Sequence, residues 1–562
     1  MRRFIHIIGQ TIAIFLIVNA TVNAQVILPE NGATLTHTQL MFDFEPVQDA
    51  GYYVIEIETC NEPLNICKSF FRFKSKVNTF LITDKFKFAQ NYKWRYYAYK
   101  GRKVLYKSTD YYFRTGWSDL LDTNVQKLVW TVKPKKKEKG IVVLDALKLA
   151  VNLKGEPVYY LNYNYNHAVR DINLTKQNTI TMVDNRLGEV KELKLNGEVI
   201  WNGPSNLNDQ DAKTDRFHHE LEKLTDGTYI AAGKRSVRSF EPEEYDITNV
   251  PGNIMSETIV AFDKENNEVW RFNLLPELRR QFNLVPDVTV FNPTRLGHLN
   301  GIAVDEENQL VYASFKTFNT IMRIHKPTNN INYLYGAKKI NFQDSLVFNA
   351  PFEQQHAPFL MQNGNLVIFN NGNDSTGSGI VFLNTAPDVN PANEVIKQIW
   401  FKSFLKNDYY GSQMGSVQPL GNNNYLVCMG AAPHVFSFNE KSKKVNWQLY
   451  TYHNKNFPDK VNKNWKSHSN YRAYYYSSLY QYYFSANMVN KGSKSYVQII
   501  NSGTNIDTFD VLNDEGIVFK TKQVKPKSKV KFEIANELLT GNKSIAVKSV
   551  QSGKVVYLKA KQ

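Results

Sequence analysis

The chain is poor in cysteine, with three in 562 residues. That excludes a disulfide-stapled scaffold and a multi-cysteine metal domain. Cys60 and Cys67 lie close together in ETCNEPLNICKS, with no second Cys or His pair nearby. A disulfide across a short loop is expected there rather than a metal pair. Cys428, inside the apolar YLVCMG, reads as a buried thiol. Long apolar runs are also missing. After the first residues no stretch is apolar enough to cross a bilayer, so no stable membrane span is expected. Nucleic-acid signatures are missing too, despite a formal charge of +16. The lysines are scattered, their densest run is Lys133–Lys139, and no basic helix or recognition motif accompanies them. The excess charge reads as a solvated surface with weak attraction for anions, and nucleic acid is not an expected partner.

What is present begins with MRRFIHIIGQTIAIFLIVNATVNAQ. A positive start, an apolar stretch, and small residues at Val22 and Ala24 predict a signal peptide over 1–24. The alternative is a membrane anchor, against which stand the short run and its interruption by Gln10 and Asn19. The mature chain is expected to be exported, losing Arg2 and Arg3 with the signal.

Aromatic residues make up 13% and tyrosine alone numbers 32, which leans towards strands. Residues 25–116 alternate as short strands separated by turns, predicting a small N-terminal β-sandwich domain. A connector follows over 117–139. From 140 to 520 the chain repeats a plan of strand, polar turn, strand, loop, strand, polar turn, strand. HHELEKLTDGTYIAAGKR, HLNGIAVDEENQLVYASFK, QHAPFLMQNGNLVIFNNGN and MGSVQPLGNNNYLVCMG each open one such unit, while the stretches before His218 fit less well. The fold class expected is all-β, a six-bladed β-propeller behind the β-sandwich. The lysine-rich tail, 521–562, alternates strongly and reads either as a closing pair of strands or as a small added β-unit.

His219, His298 and His356 each stand seven residues before the polar turn residue of their unit, Asp226, Asp305 and Asn363. In a propeller, equivalent positions on first strands face one axis, so three imidazoles are expected at one mouth of the channel. The same offset from Asn422 falls on Gly415, which leaves space. Two uses suit such a cluster. Three imidazoles can hold zinc. Alternatively, a neutral imidazole is a nucleophile and neighbouring cations stabilise negative charge. Around them Glu220 and Glu353 offer few carboxylates, whereas Lys316 on the second strand of the His298 unit and Arg472 in a later unit offer cations.

FHHELEKLTDGTYI, HLNGIAVD, the Ser-x-Lys of ASFKTF, QQHAPFLMQNGNLVIFNNGN and YRAYYYSS come in an order that resembles the bacterial arylsulfate sulfotransferases, over about residues 140–485. The resemblance implies a six-bladed periplasmic propeller that moves a sulfuryl group from an aryl sulfate donor to a phenol acceptor. The route it implies is PAPS-independent and ping-pong, through a sulfohistidine, with no cofactor and no metal. Carried over, His356 is the nucleophile, His298 and His219 surround the sulfate to bind its oxygens or protonate the leaving phenolate, and Asn300 completes a His-x-Asn element; Arg472, a cation in a later unit, is a further candidate substrate-binding residue. The chain departs from the family where an arginine is expected and Lys316 stands. A lysine keeps the charge but not the planar fork. Phe217, Phe318 and Tyr474 to Tyr476 are candidates for aromatic walls, or for ordinary packing. A homodimer is allowed for. Two other readings compete: a propeller that binds sulfated or phenolic ligands without turnover, and a metal-dependent hydrolase.

Overall fold

The computed structural model describes residues 27–61, 66–123, 125–132, 139–164, 167–204, 215–237, 255–282, 297–336, 350–454, 465–492, 494–535, 538 and 544–559. The expected signal peptide and most of the lysine run lie outside the described residues. Among the described residues the chain is nearly all strand, with one α-helix, Leu274–Phe282. That helix buries Leu274, Leu275 and Leu278, and its acidic first turn and basic last turn suit the helix dipole.

Eight strands between Ala33 and Thr115 form a six-stranded and a two-stranded sheet. Both contribute to one aromatic core that includes Phe42, Phe44, Phe80, Trp94 and Tyr96. Burying a large side chain of this kind is worth about 1.5–3 kcal/mol. Cys60 and Cys67 are disulfide-bonded across a hairpin of this unit, as expected. Cys428 is buried, and burial pushes its thiol up to about 12.

The central region folds as successive antiparallel sheets. One contains Ile141–Leu144, Leu149–Asn152 and Pro157–Tyr160. Its fourth strand is Ala473–Tyr476, from the far end of the region. Four-stranded sheets follow over 169–202, 216–273, 299–335 and 356–400, and a larger one over 416–467. First strands pack on first strands from sheet to sheet, and the strand Ser416–Gly421 contacts Ala473–Tyr476.

Several expectations change. The connector is not a bare linker: Gln126–Val132 adds to the last sheet by pairing with Lys444–Asn454. The boundary expected at 520 falls inside a separate unit. Strands from Phe484 to Lys559 form a three-stranded and a four-stranded sheet around a core of their own, so the tail is an added β-unit and takes in residues assigned to the repeats. In the tyrosine run two side chains pack between sheets, while all three residues also line a cavity of about 1050 Å³. Tyr474 and Tyr476 are buried, and their hydroxyls bond Asp171 and Asn173 of the neighbouring sheet. Phe217 and Phe318 are likewise buried in core clusters.

Where the first strands meet, Arg472 is 2% exposed. Its guanidinium takes Glu220 in a fork, at 2.5 and 3.0 Å, and also donates to the Asn300 carbonyl at 3.1 Å. Glu220 accepts from the Ile302 amide as well. Breaking such a pair from one side leaves an uncompensated buried charge. Glu220→Ala is expected to lower the unfolding free energy by about 3–5 kcal/mol. Urea unfolding followed by tryptophan fluorescence reads this, and an unchanged midpoint would contradict the clamp.

Candidate active site

The first strands are irregular where the histidines sit. His219 lies in Arg216–Lys223, at φ +66°, inside a register shift between Phe217 and Leu221. His356 opens His356–Leu360 opposite Phe369, and Ala357 follows at φ +49° within the next shift. His298, at φ +50°, stands just before Leu299–Asp305, and its carbonyl accepts from the Lys316 amide at 3.1 Å. Left-handed backbone at a non-glycine costs about 1–2 kcal/mol and gathers at functional sites. The common spacing of seven therefore hides three different backbone settings. Lys316 is not on a strand but opens a 3-10 turn after Leu310–Phe315. Gly415 does not leave open space: at φ +104°, a Cβ there would meet the Phe369 ring at 2.6 Å.

The rings of His219 and His298 are 5.2 Å apart, and Tyr471 lies 5.5 Å from His219. Arg170 Nη1 reaches His219 Nε2 at 3.3 Å. An arginine only donates, so Nε2 accepts and the His219 proton sits on Nδ1. That Nδ1 meets Nδ1 of His218. The His218 proton is then on Nε2, which stands 3.0 Å from Glu257 Oε2. One proton order thus runs Glu257, His218, His219, Arg170.

The tautomer of His356 is fixed from outside. Its Nδ1 lies 2.7 Å from Asn371 Oδ1 and 2.9 Å from the Gln354 carbonyl. The Asn371 amide nitrogen donates to the carbonyls of Gly411 and Met414, which orients its oxygen towards the ring. Both groups facing Nδ1 are acceptors, so Nδ1 carries the proton and Nε2 the lone pair. Asn300 acts behind this residue. Its amide donates to the Gln355 carbonyl at 2.7 Å, and its own carbonyl accepts from the Tyr471 hydroxyl at 2.8 Å. Arg472, expected to bind substrate, is already committed to Glu220.

Burial drives all three imidazoles towards the neutral form. His356 falls to about 3, with Lys316 and Arg472 pushing the same way against the Asn371 and Gln354 bonds. His298 falls to about 4 by burial, opposed by Glu257 and helped by His218, Lys316 and Lys234. His219 lies well below its ordinary value through burial, His218 and Arg170. A cavity of about 430 Å³ reaches Arg170 and Tyr471, is walled also by Lys148, His167, His453 and His468, and is lined by none of the three histidines. A larger one, about 1050 Å³, is lined by Thr175, Thr225, Asn363 and Gly421 of the polar turns and by none of the three histidines.

Among the described residues no three His, Cys, Asp or Glu side chains are arranged to hold a metal ion. Both ring nitrogens of His219 are engaged, and Nδ1 of His356 is too. His219, His298, His356 and Lys316 lie close enough to act on one another electrostatically, while Asn300 bonds the residue before His356 and Arg472 bonds Asn300. Sequence reasoning missed Arg170, Tyr471, Asn371 and the His218–Glu257 pair. For Arg170 a signal existed. It precedes Gln177 by seven residues, and the turns at 175–179, 224–228 and 361–365 close with the same backbone bonds.

Neutral imidazoles beside arginine and lysine define a site that can receive a small anion and attack it with nitrogen. The model of the arylsulfotransferase (ASST) family matches residues 131–476, and the chain belongs to that family. No curated protein matches the chain. Among solved structures it is similar to a protein of unknown function from Bacteroides caccae, at 13% identity over 60% of this chain and 97% of that one, TM-score 0.37. It is also similar to virginiamycin B lyase from Staphylococcus aureus, at 10% identity over 58% and 99%, TM-score 0.28. A third is AztD from Citrobacter koseri, at 7% identity over 75% and 98%, TM-score 0.28.

The histidine shifts set a pH dependence. Above its ordinary value of 6.5, His356 is neutral in both folded and unfolded chains. As pH falls, the unfolded chain takes up a proton at 6.5 that the folded chain refuses until about 3, and stability declines across that window. Histidine NMR is expected to show the His356 ring neutral, with its proton on Nδ1, at roughly pH 5 to 8. An imidazolium forming near pH 6.5 would contradict this.

Proposed function

We propose that the chain is a PAPS-independent arylsulfate sulfotransferase that passes a sulfuryl group through His356 to a phenol. The observation that carries the reading is the fixed tautomer of His356: Nδ1–H held by Asn371 and Gln354, Nε2 bearing a lone pair. In this reading the six central sheets are the blades of a propeller and the histidines stand at one mouth of its channel.

In the first half-reaction Nε2 attacks sulfur, an N–S bond forms, and the S–O bond to the aryl group breaks. The phenolate leaves as the anion and takes its proton from water, because His298 and His219 are neutral and have no acidic proton to give. In the second, the oxygen of an acceptor phenol attacks sulfur, the N–S bond breaks, and the phenolic proton passes to a neutral histidine of the cluster or to water, leaving Nε2 of His356 with its lone pair again. Sulfuryl transfer resembles phosphoryl transfer, in which positioning and charge stabilisation dominate. Lys316 supplies charge close enough to shift both His298 and His356. The His218–Glu257 pair orients His219. The family membership and the export signal expected at 1–24 support action in the periplasm on small aryl sulfates and phenols.

A chromogenic donor tests the reading. With 4-nitrophenyl sulfate and an acceptor phenol, double-reciprocal plots are expected to be parallel. A burst of nitrophenol should precede the steady rate. His356→Ala should abolish the burst and lower turnover by roughly three orders of magnitude or more. Intersecting lines, or turnover surviving in the variant, would remove the covalent route. No turnover in wild type, together with bound donor, would favour a propeller that binds without transfer.

A further inference from the structure

Among the described residues, several buried and partly buried cations take carboxylates or, as with Arg323 and Lys148, backbone carbonyls. Arg472 meets Glu220, Arg271 meets Asp215 at 2.8 Å, and Lys223 meets Glu192 at 2.8 Å. Arg170 differs. It is partly buried and has no carboxylate partner among the described residues. Its contacts are His219, which is neutral, and the face of Tyr471, 5.0 Å from the ring centroid. Asp171, next in the chain, is committed elsewhere, to the Tyr474 hydroxyl at 2.6 Å and the Leu221 amide at 3.1 Å.

Its place in the fold is that of a site residue. Arg170 pairs with Val183, and the register then shifts before Asn173 meets Thr181. His356 pairs with Phe369, and the register shifts before Phe359 meets Val367. The two residues occupy the same position on first strands of different sheets. Arg170 and Tyr471, which both touch His219, line the 430 Å³ cavity and so connect it to the histidines.

We propose that Arg170 is the anion-gripping group of this site, its planar fork taking two sulfuryl oxygens of an aryl sulfate while Tyr471 and the adjoining cavity take the aryl ring. The proposal rests on the sulfuryl-transfer reading above. A neutral histidine holds a guanidinium weakly, so Arg170 turns to an entering sulfate without breaking an ion pair. It supplies the bidentate geometry that Lys316, a point charge, does not. Release of Arg170 from His219 Nε2 also leaves that nitrogen available for the proton of an acceptor phenol.

The test uses the full chain carrying His356→Ala, in which transfer is blocked, and titrates inorganic sulfate and 4-nitrophenyl sulfate calorimetrically. Adding Arg170→Met is expected to weaken both by roughly tenfold or more, and Arg170→Lys by less. In the chain with His356 intact, Arg170→Met should raise KM for the donor, with partial rescue by Arg170→Lys. Thermal melts check folding. Should Arg170→Met not fold, weakened sulfate binding by Arg170→Lys carries the test, since charge stays and the fork is lost. Unchanged sulfate affinity in a folded variant would overturn the role of Arg170 and leave the transfer reading standing. Sulfate binding lost with Arg170 in a protein that transfers nothing would uphold the anion site and remove the transfer reading.

Discussion

The buried pair of Arg472 and Glu220 holds the first strands in place relative to one another. Arg472 adjoins the closing strand, contributed by the far end of the central region, and Glu220 lies on the sheet over 216–273. The same guanidinium bonds the Asn300 carbonyl, whose amide bonds the carbonyl of Gln355, the residue before His356. A short path of hydrogen bonds therefore leads from the ion pair to the nucleophile candidate. Buried ion pairs are poor sources of stability in themselves, since desolvation offsets most of the attraction. Their use here is register: one arrangement of three sheets satisfies the fork, and slipped arrangements leave a charge alone.

That register gives the site its electrical character. Imidazoles taken out of water next to cations lose their protons. His356, His298 and His219 are all held neutral, while Lys316 and Arg170 remain as positive groups around them. A protonated cluster would repel those cations and have no lone pair to offer. The neutral cluster keeps a nucleophilic nitrogen and an anion-attracting surround together, without requiring one group to be both. Asn371 completes the arrangement by holding the one His356 proton on the far nitrogen.

Much of this was legible in the chain, for reasons that particular residues make plain. The repeats announced themselves because alternating strands joined by Asp-Gly and Asn-Gly turns have few other solutions, and the disulfide because two cysteines stood alone. VVLDALKLAVNLKGEPVYYLNY fitted the repeat badly because it holds three strands of a sheet whose fourth is AYYY, more than three hundred residues on. Local pattern cannot show a long-range pairing of that kind. The seven-residue offset picks out His219 and His356, yet it reaches His298 through a turn of different length, and a histidine pattern does not include Arg170, which holds the same offset. Arg472 looked like a ligand for sulfate because its partner, Glu220, is distant in sequence and adjacent in space. The tail was ambiguous because its strands pair with strands that precede the expected boundary.

The central claim is that His356 carries the sulfuryl group. Intact mass of the purified chain after exposure to 4-nitrophenyl sulfate, without an acceptor and at neutral to alkaline pH, reads this step. An added sulfuryl group is expected on wild type, none on His356→Ala, and its loss when a phenol is supplied. A wild-type chain that releases nitrophenol with no change of mass, or an adduct that persists in His356→Ala, would contradict it.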